Sequence, residues 1–203
     1  MIKCHLKKWA QHLRKKMIHE VIVTTSSKDN IIHIAPMGIK VDGKKVIISP
    51  FRPSKTLENL TNTKKAVVNF IDDVRVFAGI VTGYKKEWPL IKKNDDEIPR
   101  LELANTHYEV VVEKIIDNEK RPKIICNIVK EEIHYPFMGF NRAQFSVIEA
   151  AVLVSRLGMI SMEKIANEIK YLKIGIEKTS GPRELEAWQW IEDKIENFKL
   201  NDN

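Results

Sequence analysis

At 203 residues, with 43% apolar and 30% charged side chains, the chain is long enough to bury a core of its own. No apolar run approaches the roughly 18 residues that a membrane span needs, and the two cysteines, Cys4 and Cys126, are too few for a disulfide framework and point to a reducing, cytoplasmic setting. Six of the seven net positive charges come from Lys3, Lys7, Lys8, Arg14, Lys15 and Lys16, so the body is nearly neutral and a nucleic-acid reading of the pI of 9.3 rests on residues 1–16 alone.

In that basic arm Leu6, Trp9, Leu13 and Met17 recur at helical spacing opposite the lysines. Such a helix can lie on an anionic membrane or nucleic acid. Two plainer readings are favoured over a partner-binding role: the arm docks on the body, or it precedes a true start at Met17. It lacks the continuous apolar core of a secretory signal.

From Glu20 to Val129 the pattern is mainly β. Val21-Ile22-Val23-Thr24-Thr25 is a β-branched run ended by the turn-forming Ser26-Ser27-Lys28-Asp29-Asn30. Ile31 to Ala35 follows, then Pro36-Met37-Gly38 interrupts the strand signal before Ile39-Lys40-Val41 resumes it. Asp42-Gly43 predicts a two-residue hairpin turn into Lys45 to Ser49. A short helix from Lys55 ends near Thr61-Asn62-Thr63, and Ala66 to Ile71 is a strand stopped by Asp72-Asp73. Val74 to Thr82 reads as a further strand, with Gly79 marking a bulge or a close backbone approach. Residues 83–100 form a charged loop, and Tyr108 to Ile116 and Lys123 to Val129 read as a hairpin.

The character changes at Pro136. Arg142 to Leu157 predicts a helix with Val147, Ala150, Ala151 and Val154 on one stripe and Gly158 as its stop. Asn141 reads as its N-cap, while a ligand or a second subunit stays open as the partner of Arg142 and Gln144. Ser161 caps a second helix to about Leu172, and Gly181-Pro182 opens a third with Leu185, Trp188 and Ile195 at helical spacing. The fold class is α+β: an antiparallel β-barrel followed by a three-helix C-terminal region, with boundaries at 1–16, 17–135 and 136–203.

The densest chemistry lies in Arg52-Pro53-Ser54-Lys55-Thr56-Leu57-Glu58-Asn59, where a strand hands over to a helix. A helix N-terminus offers unpaired N–H groups and partial positive charge, so it is a ready phosphate site. Arg52 and Lys55 add full charges, and Ser54 and Thr56 add short donors. A capped surface helix explains Ser54 but not the whole cluster. On the preceding strand, Pro36 lacks an N–H and Gly38 lacks a side chain, so a planar ligand can approach closely, and Met37 offers a soft contact to a ring. A plain strand kink explains that tripeptide equally well on its own. Together the two features suit a ligand with a flat ring at one end and a phosphate at the other. No metal is expected, because the six histidines form no close pair and neither cysteine has a partner nearby. Nucleophile elbows, the P-loop and the dinucleotide glycine fingerprint do not occur. Asp72-Asp73 reads as a turn former before a carboxylate pair.

The order Ala35-Pro36-Met37-Gly38, Arg52 to Leu60, Ala66 to Asp73 resembles the FMN-binding split-barrel, flavin-reductase-like superfamily. More closely it resembles an uncharacterised family within it that has an added C-terminal helical region, to which Gly139 to Gln144 and Glu177 to Trp188 are also similar. The resemblance implies a homodimer of six-stranded split barrels with FMN at the interface. It assigns Arg52, Ser54, Lys55, Thr56 and Asn59 to the phosphate and ribityl chain, and Pro36, Met37 and Gly38 to the isoalloxazine. Asn69 would reach the ring or the ribityl group. The implied activity is hydride transfer at the flavin on an unknown substrate, the alternative being a non-catalytic flavin or deazaflavin module or carrier.

Overall fold

A computed structural model of the chain describes residues 17–92, 94 and 97–201; the basic arm and the readings placed on it lie outside the described residues. Six antiparallel strands close on themselves in the order β1-β2-β3-β8-β7-β4, with β4 returning to β1. They are β1 (His19–Ser26), β2 (Ile32–Asp42), β3 (Lys45–Ile48), β4 (Lys65–Phe70), β7 (Thr106–Ile116) and β8 (Lys123–Ile133). Helix α1 (Lys55–Thr63) lies between β3 and β4, and helix α2 (Arg75–Thr82) follows β4. The pair β5 (Leu90–Ile91) and β6 (Arg100–Leu101) comes before β7, and α3 (Arg142–Val154), α4 (Met162–Thr179) and α5 (Pro182–Asn201) complete the chain. No helix among the described residues is long and apolar enough to cross a membrane.

The barrel core is built by strand alternation. Val21 and Val23 from β1, Ile39 from β2, Val46 and Ile48 from β3, Val68 from β4, Val110 from β7 and Ile124 from β8 all point inward. Leu57 and Leu60 on α1 join them, three residues apart on one helix face. Each such side chain contributes about 1.5–3 kcal/mol on burial. The hairpin between β2 and β3 is turned by Gly43 and Lys44, one residue later than the sequence reading, with Gly43 at φ 61°. That φ sits easily only on glycine, and a glycine first in a two-residue loop matches the twist of the flanking strands.

β2 runs through Pro36-Met37-Gly38 without interruption, in register with Ile22, Val21 and Glu20. Pairing with β3 begins only at Ile39, so the stretch from Ile32 to Gly38 has a neighbour on one side. A proline costs no ladder hydrogen bond on such an edge, which is why the strand survives it.

Contacts divide the chain into two units: residues up to Ile71 with Pro89–Pro136, and Asp72–Trp88 with the residues from Phe137 onward. In the second unit the expected strand Val74 to Thr82 is instead the helix α2. Val76, Phe77, Ala78, Gly79 and Thr82 are all buried, so no polar face marks its period, and a short apolar run reads equally as strand or helix. Gly79 is there for close approach, since a Cβ would lie 2.8 Å from the Lys85 carbonyl oxygen. Asp73 starts this helix: its carboxylate accepts from the Arg75 N–H at 3.1 Å and holds the Arg75 guanidinium at 2.7 Å. Arg75 also reaches Glu186 on α5 at 2.9 Å. These bonds to two carboxylates hold the Arg75 pKa well above its ordinary value against the cost of burial. The α3 stripe Val147, Ala150, Ala151, Val154 is buried as the sequence predicts, and Trp188, Ile191 and Ile195 of α5 pack with it. Leu185 does not join that face; it is exposed, and Ala187 fills the inward position.

Candidate functional site

Ser54 caps α1 from an extended backbone, its Oγ accepting from the Leu57 N–H at 3.2 Å. The cap leaves the first-turn N–H groups facing outward beside Arg52 and Lys55. An open groove of about 770 Å³ lies here, lined by Arg52, Pro53, Ser54, Lys55, Glu58 and Asn62. Arg52 pairs with Asp117 at 2.6 Å and donates to the Asn118 carbonyl at 3.2 Å. Lys55 pairs with Glu58 at 3.1 Å. Both pairs are exposed, and such pairs hold their side chains by at most about 1 kcal/mol, so either cation can turn to an anion in the groove.

Thr56 and Asn59 occupy the inner face of α1, each only 1% exposed. Asn59 Nδ2 donates to Thr25 Oγ1 at 3.0 Å, but Asn59 Oδ1 and Thr56 Oγ1 are buried with no hydrogen-bond partner. A buried polar atom left unpaired costs roughly 1–3 kcal/mol, so two on one helix face mark a place where something else supplies the partner. The groove offers a phosphate two cations, the Ser54 hydroxyl and a helix start, and Thr56 Oγ1 lies on the inner face of the same first turn. The unpaired Asn59 oxygen fits a sugar-alcohol hydroxyl, so these residues suit the phosphorylated ribityl chain of FMN.

Two residues that the sequence reading passed over belong to this neighbourhood. His33 is paired across β1 with Thr25 and is half-buried; burial and then the Lys55 charge lower its pKa from the ordinary 6.5. Arg121, in the β7–β8 turn, donates to the Ser49 carbonyl at 3.0 and 3.1 Å and lies over the Phe51 ring at 4.3 Å. It clamps the connection that carries Arg52, helped by Arg52 N–H donating to the Lys120 carbonyl at 3.0 Å. Neither role has a sequence signal, because each depends on which strands and turns become neighbours.

Pro36 and Gly38 face outward from β2, and Gly38 lines a second groove of about 450 Å³ with Lys40, Ser49 and Arg121. A Cβ on Gly38 would lie 2.9 Å from the Ile18 side chain. Met37 alternates inward and packs against the barrel core, so its side chain is on the face opposite its two neighbours. Asn69 is fully buried, and its amide is committed to the fold: Nδ2 donates to the Ile22 carbonyl and Thr24 Oγ1, each at 3.0 Å, while Oδ1 accepts from the Leu101 N–H at 2.8 Å. It therefore fastens the segment carrying β5 and β6 to the barrel wall.

A third group was invisible as sequence. His107 on β7 pairs across from Glu132 on β8, and His134 just beyond β8 comes within 2.8 Å of it, Nδ1 to Nε2. The residues are 25 and 27 apart in the chain, so only strand register assembles them.

Comparison with known proteins agrees with this architecture. A chain from Methanosarcina mazei, described as an FMN-bound protein of the DUF447 family, superposes with a TM-score of 0.74 at 20% identity over 87% of this chain and 94% of that one. The flavin reductase of styrene monooxygenase from Pseudomonas putida S12 superposes with a TM-score of 0.50 at 13% identity, over 63% and 88% of the two chains. At those identities the likeness is one of fold. An uncharacterized protein of Methanocaldococcus jannaschii is 29% identical over 199 residues, covering 91% of this chain and all of that one. Residues 19–135 match the N-terminal domain of the DUF447 family, proteins of unknown function, and residues 141–193 match a second DUF447 region. The chain thus belongs to the DUF447 family, barrel and helical region alike.

Proposed function

We propose that this protein binds FMN and works as a flavin-dependent oxidoreductase. The observation that carries the reading is the pair of unpartnered buried atoms, Thr56 Oγ1 and Asn59 Oδ1, beside the capped start of α1. Arg52, Ser54, Lys55 and Thr56 hold the phosphate, and Asn59 takes a ribityl hydroxyl. When bound, FMN supplies a ring that accepts and gives up hydride, so the chain needs to bind and orient it more than to react. Pro36 and Gly38 offer the ring the edge of β2 that β3 does not pair, with the Ile18 side chain beside Gly38 as a further apolar contact. Met37 contributes its backbone to that edge while its thioether stays with the barrel core.

The fold likeness to FMN-bound and flavin-reductase chains supports the same reading, as does the exposed apolar run Phe137, Met138 and Phe140, which suits a second copy of the chain in a homodimer. The test is an absorption spectrum of the full chain as purified, then rapid mixing with NADH or NADPH. A bound flavin that bleaches with either donor supports the oxidoreductase. A bound flavin inert to both makes the protein a flavin module or carrier, and no flavin affinity at all overturns the cofactor.

A further inference from the structure

Among the described residues, one group of three metal-ligating side chains converges: His107, Glu132 and His134, with one ligand atom of each within 4.8 Å of the others. His107 is 3% exposed and Glu132 and His134 are half-buried, so the group is preformed yet reachable from solvent. The two faces of the His107 ring differ. Its Nε2 lies 3.6 Å from the Glu109 carboxylate, which favours a neutral tautomer with the proton on that side and leaves Glu132 for an ion. The Nδ1 lone pair is left facing His134 Nε2 at 2.8 Å, with the rings 7° from parallel. A carboxylate near the second nitrogen of a ligating histidine helps to orient the ring, and Glu109 takes that place for His107.

We propose that His107, Glu132 and His134 form a binding site for a divalent transition-metal ion of the zinc type. The ion takes two imidazole nitrogens and one carboxylate oxygen, with water in the remaining position. Zinc–nitrogen bonds of about 2.0–2.1 Å in tetrahedral geometry need the two nitrogens roughly 3.3 Å apart, so the rings separate by about half an ångström. The proton on His134 Nε2 moves to its Nδ1, and that ring stays neutral. Lys130 opposes the ion, since its ammonium lies 2.8 Å from Glu109 and 3.5 Å from Glu132. The two carboxylates outnumber that ammonium, and Lys130 keeps Glu109 as its partner when Glu132 turns to the metal. The bound ion ties the start of β7 to the end of β8, beside the strand position held by Asn69.

The test uses the full chain after dialysis against a chelator, titrated with Zn²⁺ by calorimetry, with metal content measured after re-dialysis. One ion per chain is expected, bound at micromolar affinity or tighter near pH 7. His134→Ala and Glu132→Gln, both at half-buried positions, should each weaken binding by about 100-fold or more, and Glu109→Gln by roughly 10-fold, with far-UV circular dichroism and flavin content unchanged. No saturable Zn²⁺ binding overturns the site. Binding of one ion that survives both His134→Ala and Glu132→Gln places the ion elsewhere and overturns it equally.

Discussion

Thr56 separates a ligand contact from a structural one. Its Oγ1 has no partner and is buried, so the hydroxyl does nothing for the fold of the free protein. Thr56→Val removes only that atom's chemistry, so thermal stability without flavin should hold or rise, while FMN binding weakens about tenfold, roughly 1.4 kcal/mol. Flavin titration by fluorescence and a melting curve read the two effects apart; unchanged affinity would remove Thr56 from the site. His33 answers a different question, through protons. Its folded-state pKa lies below 6.5, so the unfolded chain binds the proton more readily and stability falls as pH drops below about 6.5. Above that value the neutral ring's contribution is fully present. The stability of the natural chain should therefore lose ground to His33→Gln on acidification. Because part of the shift comes from Lys55, a phosphate bound to Lys55 should raise the His33 titration midpoint, and NMR of the ring protons with and without FMN checks it.

At the scale of elements, α3 and α4 meet at Gly175. A Cβ there would collide with Ser146 Oγ and sit 3.1 Å from the Arg142 carbonyl oxygen. Alanine gains about 1 kcal/mol of helix propensity over glycine, but overpacking of this kind costs typically 1–3 kcal/mol, so Gly175→Ala should destabilise the helical unit. Adding Ser146→Ala removes the nearest atom and should restore part of the loss, which chemical denaturation followed by circular dichroism measures; a stabilised Gly175→Ala would show that the helices part freely. Caps and stripes of this sort were legible beforehand, because Asn141, Ser161 and the α3 stripe act within one helix. The helix α2 was not, because burial on nearly all its faces leaves Val74 to Thr82 with a strand's composition and no polar period. Pro36-Met37-Gly38 was half legible. Its chemistry was plain, but that β2 continues through it depended on β3 pairing only from Ile39. The same dependence on register hid His107, Glu132 and His134, whereas the Arg52–Asn59 cluster stood out because one short segment carries all of it.

At the scale of the whole molecule, several large apolar side chains stand exposed on the segment that leads into α3. Phe140 is fully exposed, Met138 is 82% and Phe137 67% exposed, and the two phenylalanine rings pack edge to face 5.2 Å apart. Phe145, at the start of α3, is exposed as well. Exposed aromatic residues that pack on one another, as Phe137 and Phe140 do, suit contact with a partner surface. A second copy of the chain is the occupant that the proposed flavin site favours, since a homodimer can complete a cofactor groove that one protomer leaves open. The 23.5 kDa chain should therefore elute with about twice that mass in light-scattering chromatography at micromolar concentration. Phe140→Asp touches no buried contact, so it should leave the melting curve of the isolated fold intact while placing two like charges at a self-complementary contact. The dimer should then dissociate at least about tenfold more readily, and FMN affinity should fall with it if the groove is completed across the interface. Thr56→Val provides the contrast, weakening FMN while leaving the mass at that of the dimer. A natural chain that runs as a monomer, flavin bound, would remove the dimer and leave α1 to hold the cofactor from one protomer alone.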